Sequence, residues 1–121
     1  MRGIVLVSHS YDLANGLLDL LKEVAGNVPI TIAGGLDNDT VGTTLPRVLK
    51  AIHENEATTL YVFYDLGSAL MNVEMAQEET EKTLFISQAA MVEGAFIAAS
   101  LLAVDIPDED IKKELKQLHV K

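Results

Sequence analysis

Gly3-Ile4-Val5-Leu6-Val7-Ser8-His9-Ser10 is the stretch on which the fold turns. Its unbroken run of β-branched residues and leucine, with no polar alternation, is the pattern of a strand buried on both faces, which belongs in a parallel sheet covered by helices. Leu13, Leu17, Leu20, Leu21 and Val24 follow at spacings of three and four, the apolar stripe of a helix that ends near Gly26.

The same unit recurs along the chain. Pro29 to Ala33 predicts a second strand stopping at Gly34-Gly35. The polar, glycine-bounded stretch from Leu36 to Gly42 reads as a surface loop at the sheet end that carries His9. Leu45, Val48, Leu49 and Ile52 mark the next helix. Thr58 to Tyr64 has the strongest β propensity in the chain and runs into Asp65-Leu66-Gly67-Ser68-Ala69, where another helix starts. Thr83 to Ile86 predicts a short fourth strand. Ala89 to Val104 predicts a helix apolar on nearly every side, which has to be covered on both sides. In the last helix, from about Asp108, acids occupy the first turn and lysines follow, matching the helix dipole, with Ile111, Leu115 and Leu118 facing in. Four strand-helix units in series predict one doubly wound α/β domain over residues 1–121, a mostly parallel sheet of about four strands with helices on both faces.

Composition narrows the function. With 49% hydrophobic residues and a mean hydropathy of +0.23 the 121-residue chain is no disordered segment. The absence of cysteine excludes disulfides, thiol catalysis and thiolate metal sites and suits the cytoplasm. Eighteen acids against nine bases give a net charge of -9, which repels nucleic acid and anionic lipid. The first apolar run is too short for a signal peptide. Leu84 to Val104, interrupted by Ser87-Gln88 and Glu93-Gly94, does not read as a membrane span.

Ligand sites in open parallel sheets lie outside the C-terminal strand ends, near the point where strand order reverses. Those ends carry Ser8-His9-Ser10, Gly34-Gly35, Tyr64 to Ser68 and Ser87-Gln88. His9 is the group among them that works as nucleophile or proton carrier near neutral pH, and it opens a helix whose N-terminus favours an anion. A carboxylate at the end of a neighbouring strand, Asp65, can bind one imidazole nitrogen and free the other. Asp65 is equally suited to cap the helix beginning at Gly67, and Gly67 and Ser68 supply a close-approach backbone and a hydroxyl at that helix start. His53 belongs late on a helix and His119 in a frayed tail, so neither is expected to react. No histidine pair has metal-ligand spacing and no glycine-rich stretch fits a nucleotide loop, so no metal or cofactor is expected. Met71 and Met75, at i and i+4, fit either an extension of a core stripe or an adaptable partner surface, and the core stripe is the reading favoured.

Val7-Ser8-His9-Ser10, Ala33-Gly34-Gly35, Gly42-Thr43, Asp65-Leu66-Gly67-Ser68-Ala69 and Val92-Glu93-Gly94-Ala95 stand in this order along almost the whole chain. In these motifs the chain resembles the DhaM family, the phosphotransferase subunits of bacterial dihydroxyacetone kinases. That family is related to the mannose-family IIA domains of the phosphoenolpyruvate-dependent sugar phosphotransferase system. Ser10 replaces the glycine usual after the active histidine in mannose IIA domains, and Ala90-Met91 stands where a Pro-Leu pair is expected. The resemblance implies a homodimeric phosphocarrier. Its histidine, at His9, accepts a phosphoryl group from the histidine phosphocarrier protein and passes it to ADP on the nucleotide subunit of dihydroxyacetone kinase. It implies that Asp65 orients the ring and that Ser10, Gly34, Gly35, Thr43, Gly67 and Ser68 surround the phosphoryl group. No lysine or arginine stands near His9 in sequence, as expected of a carrier that leaves cations to its partners. The rival readings are a IIA subunit of a mannose-type transporter, a receiver-like switch phosphorylated on Asp65, a histidine phosphatase, which lacks its arginines here, and a plain binding or oligomerisation module.

Overall fold

The computed structural model describes residues 1–121, apart from the side chain of Asp39. Four strands, β1 (Arg2–Ser8), β2 (Ile30–Gly34), β3 (Thr59–Tyr64) and β4 (Thr83–Ile86), alternate with helices α1 (Tyr11–Val24), α2 (Leu45–Glu54), α3 (Gly67–Glu79) and α4 (Met91–Ala103), and α5 (Asp108–Lys116) closes the series. A 3-10 turn over Asp37–Asp39 lies in the loop after β2.

The pairings among these four strands are parallel and the strand order is β2-β1-β3-β4. From β1 the chain crosses to β2 on one side, then returns past β1 to place β3 on the other, so the order reverses between β1 and β3. Ile4 to Val7 and Leu60 to Phe63 are fully buried, which is why these strands read as continuous apolar runs. Ile4, Leu6, Tyr61 and Phe63 pack under α1, α4 and α5, while Val5, Val7, Leu60 and Val62 pack under α2 and α3. Burying each such side chain contributes about 1.5–3 kcal/mol, and the doubly wound α/β fold expected from the sequence is the one found.

Gly94 lets α4 approach the sheet, since a Cβ there would come within 2.8 Å of the Ala89 Cβ and 3.1 Å of the Phe63 ring. The inner face of α4 is Met91, Gly94, Ala95, Ala98, Ala99 and Leu102, while Val92, Phe96 and Val104 are exposed. No helix among the described residues is long and apolar enough to cross a membrane.

Several expectations fail. In α1 only Leu17 and Leu21 of the expected stripe are buried, while Leu13, Leu20 and Val24 are exposed. Met71 and Met75 are not core: Met71 is 68% exposed and Met75 43%. The buried face of α3 is made by Ala69, Val73 and Ala76, small residues that bring the helix close to the sheet and turn the methionines outward. The segment after α5 is not frayed either. His119 forms an antiparallel bridge with Ala89, the Ala90 N–H donates to Leu118 O at 2.9 Å and the Val120 N–H to Gln88 O at 3.1 Å.

Candidate active site

His9 leaves the end of β1 and Asp65 the end of β3, the two strands at which the order reverses. The crevice that parallel sheets open at such a point therefore has a histidine on one wall and a carboxylate on the other. Their side chains are 18% and 15% exposed.

Asp65 is held by four hydrogen bonds. Its Oδ2 accepts from the Ser8 hydroxyl and the His9 N–H, each at 2.9 Å; its Oδ1 meets His9 Nδ1 at 2.9 Å and accepts from the Leu66 N–H at 2.7 Å. Burial works to raise the Asp65 pKa, but the bonds from His9, Ser8 and Leu66 outweigh it and hold the carboxyl below its usual value. An ionised carboxylate only accepts, so His9 Nδ1 carries the proton of this bond.

The other ring nitrogen, Nε2, is then the unprotonated one in the neutral imidazole, and it lies 2.8 Å from the Ser68 hydroxyl. Ser68 stands in the first turn of α3, whose N-cap position is Leu66 and carries no side-chain cap. Asp65 is thus not the cap of this helix: its carboxylate turns back to His9 and to the Leu66 N–H. Gly67 is not a close-approach position, because a Cβ there would meet nothing within 4 Å. An uncapped helix start beside Nε2 offers N–H groups and the positive end of a dipole to an anion.

The remaining expected site residues support the loops and make no hydrogen bond to the His9 ring. Ser10 caps α1, its hydroxyl accepting from the Leu13 N–H at 3.2 Å while its own N–H donates to the Ser8 hydroxyl at 3.0 Å. Gly34 lies so close to α1 that a Cβ would fall 2.9 Å from the Tyr11 Cα. Gly35, at φ +68, donates its N–H to Ser8 O at 3.1 Å. The next loop is tied to the site by the Gly42 N–H on His9 O at 2.9 Å, and Thr43 accepts from Asn72 of α3 at 2.9 Å. His53 is exposed in the last turn of α2.

Sequence reading missed Ser8 and Lys121. The Ser8 hydroxyl, fully buried at the end of β1, joins Asp65 to the backbone of Ser10. Its polar side chain closing an apolar run was the available signal. Lys121 reaches Tyr64 O, one residue before Asp65, through the docking of the segment after α5, a long-range placement without a local pattern.

A parallel sheet with a histidine at its reversal point, one ring nitrogen engaged and the other facing an uncapped helix start, is an architecture suited to carrying a phosphoryl group. The model of the family described as PTS system fructose IIA component matches residues 3–112, and the chain belongs to that family. It is 47% identical over 116 residues to the PTS-dependent dihydroxyacetone kinase, phosphotransferase subunit DhaM, of Lactococcus lactis, covering 96% of this chain and 94% of the relative. It is 43% identical to the PEP-dependent dihydroxyacetone kinase 1, phosphoryl donor subunit DhaM, of Listeria innocua, covering 98% and 96%. A crystal structure of a protein of unknown function superposes with a TM-score of 0.85 at 26% identity, covering 99% of this chain and 96% of the other. A sigma-54 interaction domain protein from Enterococcus faecalis shares the fold at a TM-score of 0.69 and 17% identity, covering 96% of this chain and 88% of the other.

Proposed function

We infer that this chain is the phosphoryl-donor subunit of a phosphoenolpyruvate-dependent dihydroxyacetone kinase, a phosphocarrier that is charged on His9 and passes the group to ADP on the kinase's nucleotide subunit. The observation that carries this reading is the division of labour on the His9 ring, with Nδ1 bound to Asp65 and Nε2 beside Ser68 at the start of α3. Two relatives that match nearly end to end are named as the phosphotransferase or phosphoryl donor subunit of such a kinase, which supports the kinase as the destination of the group.

Charging begins when the Ser68 hydroxyl swings off Nε2. The Nε2 lone pair forms a bond to the phosphorus of the donor's phosphohistidine as the donor's P–N bond breaks in line, and the donor ring leaves with that electron pair. Asp65 stabilises the positive charge that develops on the His9 ring and keeps Nδ1 protonated. The Ser68 hydroxyl and the uncapped N–H groups of α3 receive the phosphoryl oxygens. Positioning and charge stabilisation suffice for such a transfer, and the reverse sequence delivers the group to ADP.

The test is incubation with phosphoenolpyruvate and the general phosphotransferase proteins, followed by mass mapping. The expected label lies on His9 alone, is lost in mild acid and survives base. A hydroxylamine-sensitive label on Asp65 would establish the receiver reading instead, and rapid spontaneous release of phosphate from His9 a phosphatase.

We further propose a homodimer formed through the outer side of α4. Val92, Phe96 and Val104 are exposed there on a helix whose inner side is already committed to the sheet. Light scattering at micromolar concentration is expected to give twice the chain mass, and Phe96→Asp the monomer mass. A wild-type monomer overturns the proposal.

A further inference from the structure

The sequence places no cation near His9, but the fold brings one to the edge of the site. The Lys121 ammonium donates to Tyr64 O and, at 3.0 Å, to Ala89 O, and lies 4.2 Å from the centre of the Tyr64 ring. Tyr64 is the last residue of β3 and immediately precedes Asp65; Ala89 lies between β4 and α4. Lys121 arrives there because residues 118–120 pair with residues 88–90. Partial burial pulls the Lys121 pKa down, and the Asp65 carboxylate works against that shift.

We propose that Lys121 is a positioning residue of the phosphorylation site, whose positive charge clamps the end of β3 that carries Asp65 and offsets negative charge as His9 is phosphorylated. The inference rests on the carrier reading of His9. Before transfer, the Asp65 carboxylate balances the ring on which positive charge develops. Afterwards a phosphoryl group of nearly two negative charges sits on that ring, with Asp65 still ionised. In a chain of net charge -9, a cation fixed on two carbonyls beside Asp65 lowers the energy of that charged state. Because the ammonium is held by backbone oxygens rather than paired directly with the phosphoryl group, it stabilises the group without trapping it.

Three variants separate the charge from the hydrogen bonds. Lys121→Arg keeps both, Lys121→Gln keeps a donor without the charge, and Lys121→Ala loses both. Labelling of His9 from phosphoenolpyruvate is expected to slow about 3- to 10-fold in Lys121→Gln and Lys121→Ala, an effect of the size given by a unit charge at the partly screened edge of a site. Lys121→Arg stays within about twofold of wild type. The His9 Nδ1 nitrogen shift by NMR, which needs no labelling, is expected to move in Lys121→Gln and to remain in Lys121→Arg. Wild-type labelling and an unmoved shift in a folded Lys121→Gln overturn the proposal. So does a defect in Lys121→Ala that Lys121→Gln fully repairs, which would make the lysine a structural tie only. Absence of any label in the wild type would refute the carrier reading instead, while the nitrogen shift still reports on Lys121.

Discussion

Both ends of the sheet carry a buried or half-buried polar network, and the two are built for opposite purposes. At the N-terminal ends of the strands Asn55, 3% exposed, reaches Ile4 O at 3.1 Å, Pro29 O at 3.3 Å and the Thr31 hydroxyl at 3.2 Å, while its Oδ1 accepts from the Ala57 N–H at 3.0 Å. Lys82 closes the C-terminus of α2 through Ile52 O at 2.7 Å and Asn55 O at 2.6 Å. Arg2 and Tyr61 meet on Asp108 at 2.9 and 2.5 Å, tying β1 and β3 to α5. Each of these groups is spent on backbone or on a fixed side-chain partner. At the C-terminal ends Asp65 is as fully engaged as Asn55, but its bonds end on a ring whose far nitrogen meets only a rotatable hydroxyl. One network fixes loops; the other fixes a ring and leaves its reactive atom available.

That contrast predicts that damage at the two ends separates into lost transfer and lost stability. The largest effect is expected from His9→Ala, which abolishes phosphoenolpyruvate-dependent labelling while His53→Ala and His119→Ala keep it; label retained in His9→Ala would remove the carrier assignment. Asp65→Ala is expected to slow transfer about 10- to 100-fold, by analogy with metal-bound histidines that lose the partner of their second ring nitrogen, with His9 still the labelled residue. Wild-type transfer in folded Asp65→Ala would reduce Asp65 to a loop tie. Asn55→Ala should do the reverse, costing about 1–3 kcal/mol in urea unfolding because it strands the Ala57 N–H in the interior, with the labelling rate unchanged.

Acid should expose the same division. Since the folded pKa of Asp65 lies below its unfolded value, its contribution to stability is complete above the ordinary aspartate pKa of about 3.9 and is lost as pH falls through the folded value. Urea unfolding between pH 6 and pH 3 should therefore fall less steeply in Asp65→Asn than in wild type, and parallel curves would mean that Asp65 adds nothing to the acid response. The smallest effect is expected from Ser68→Ala, in which one neutral hydrogen bond disappears, for a change of about 2- to 10-fold in transfer rate. A loss as large as that of Asp65→Ala would show that the hydroxyl does more than receive the phosphoryl group.

Much of this molecule is written locally in its residues. Strands buried on both faces need apolar residues at every position, so β1 and β3 are visible as runs, and a polar residue ending such a run marks a strand end: His9 and Asp65 announce themselves in this way. Helix stripes and the acidic first turn of α5 are equally local. The order β2-β1-β3-β4 is not, because pairing depends on which strands meet after the helices pack, and that order puts Asp65 at the end of β3, rather than Ser87 after β4, beside His9. Packing likewise chose the inner face of α3. Met71 and Met75 have the spacing of a core stripe, but the small Ala69, Val73 and Ala76 allow a closer approach to the sheet. Ser68 reaches Nε2 and Lys121 reaches Tyr64 O only because elements 59 and 57 residues away in the chain end at the same edge. Local patterning determined the elements and set His9 and Asp65 at strand ends, since each depends on burial or exposure of its own segment. The tertiary structure decided which nitrogen of His9 is free and which charges surround it, since those depend on contacts between segments distant in sequence.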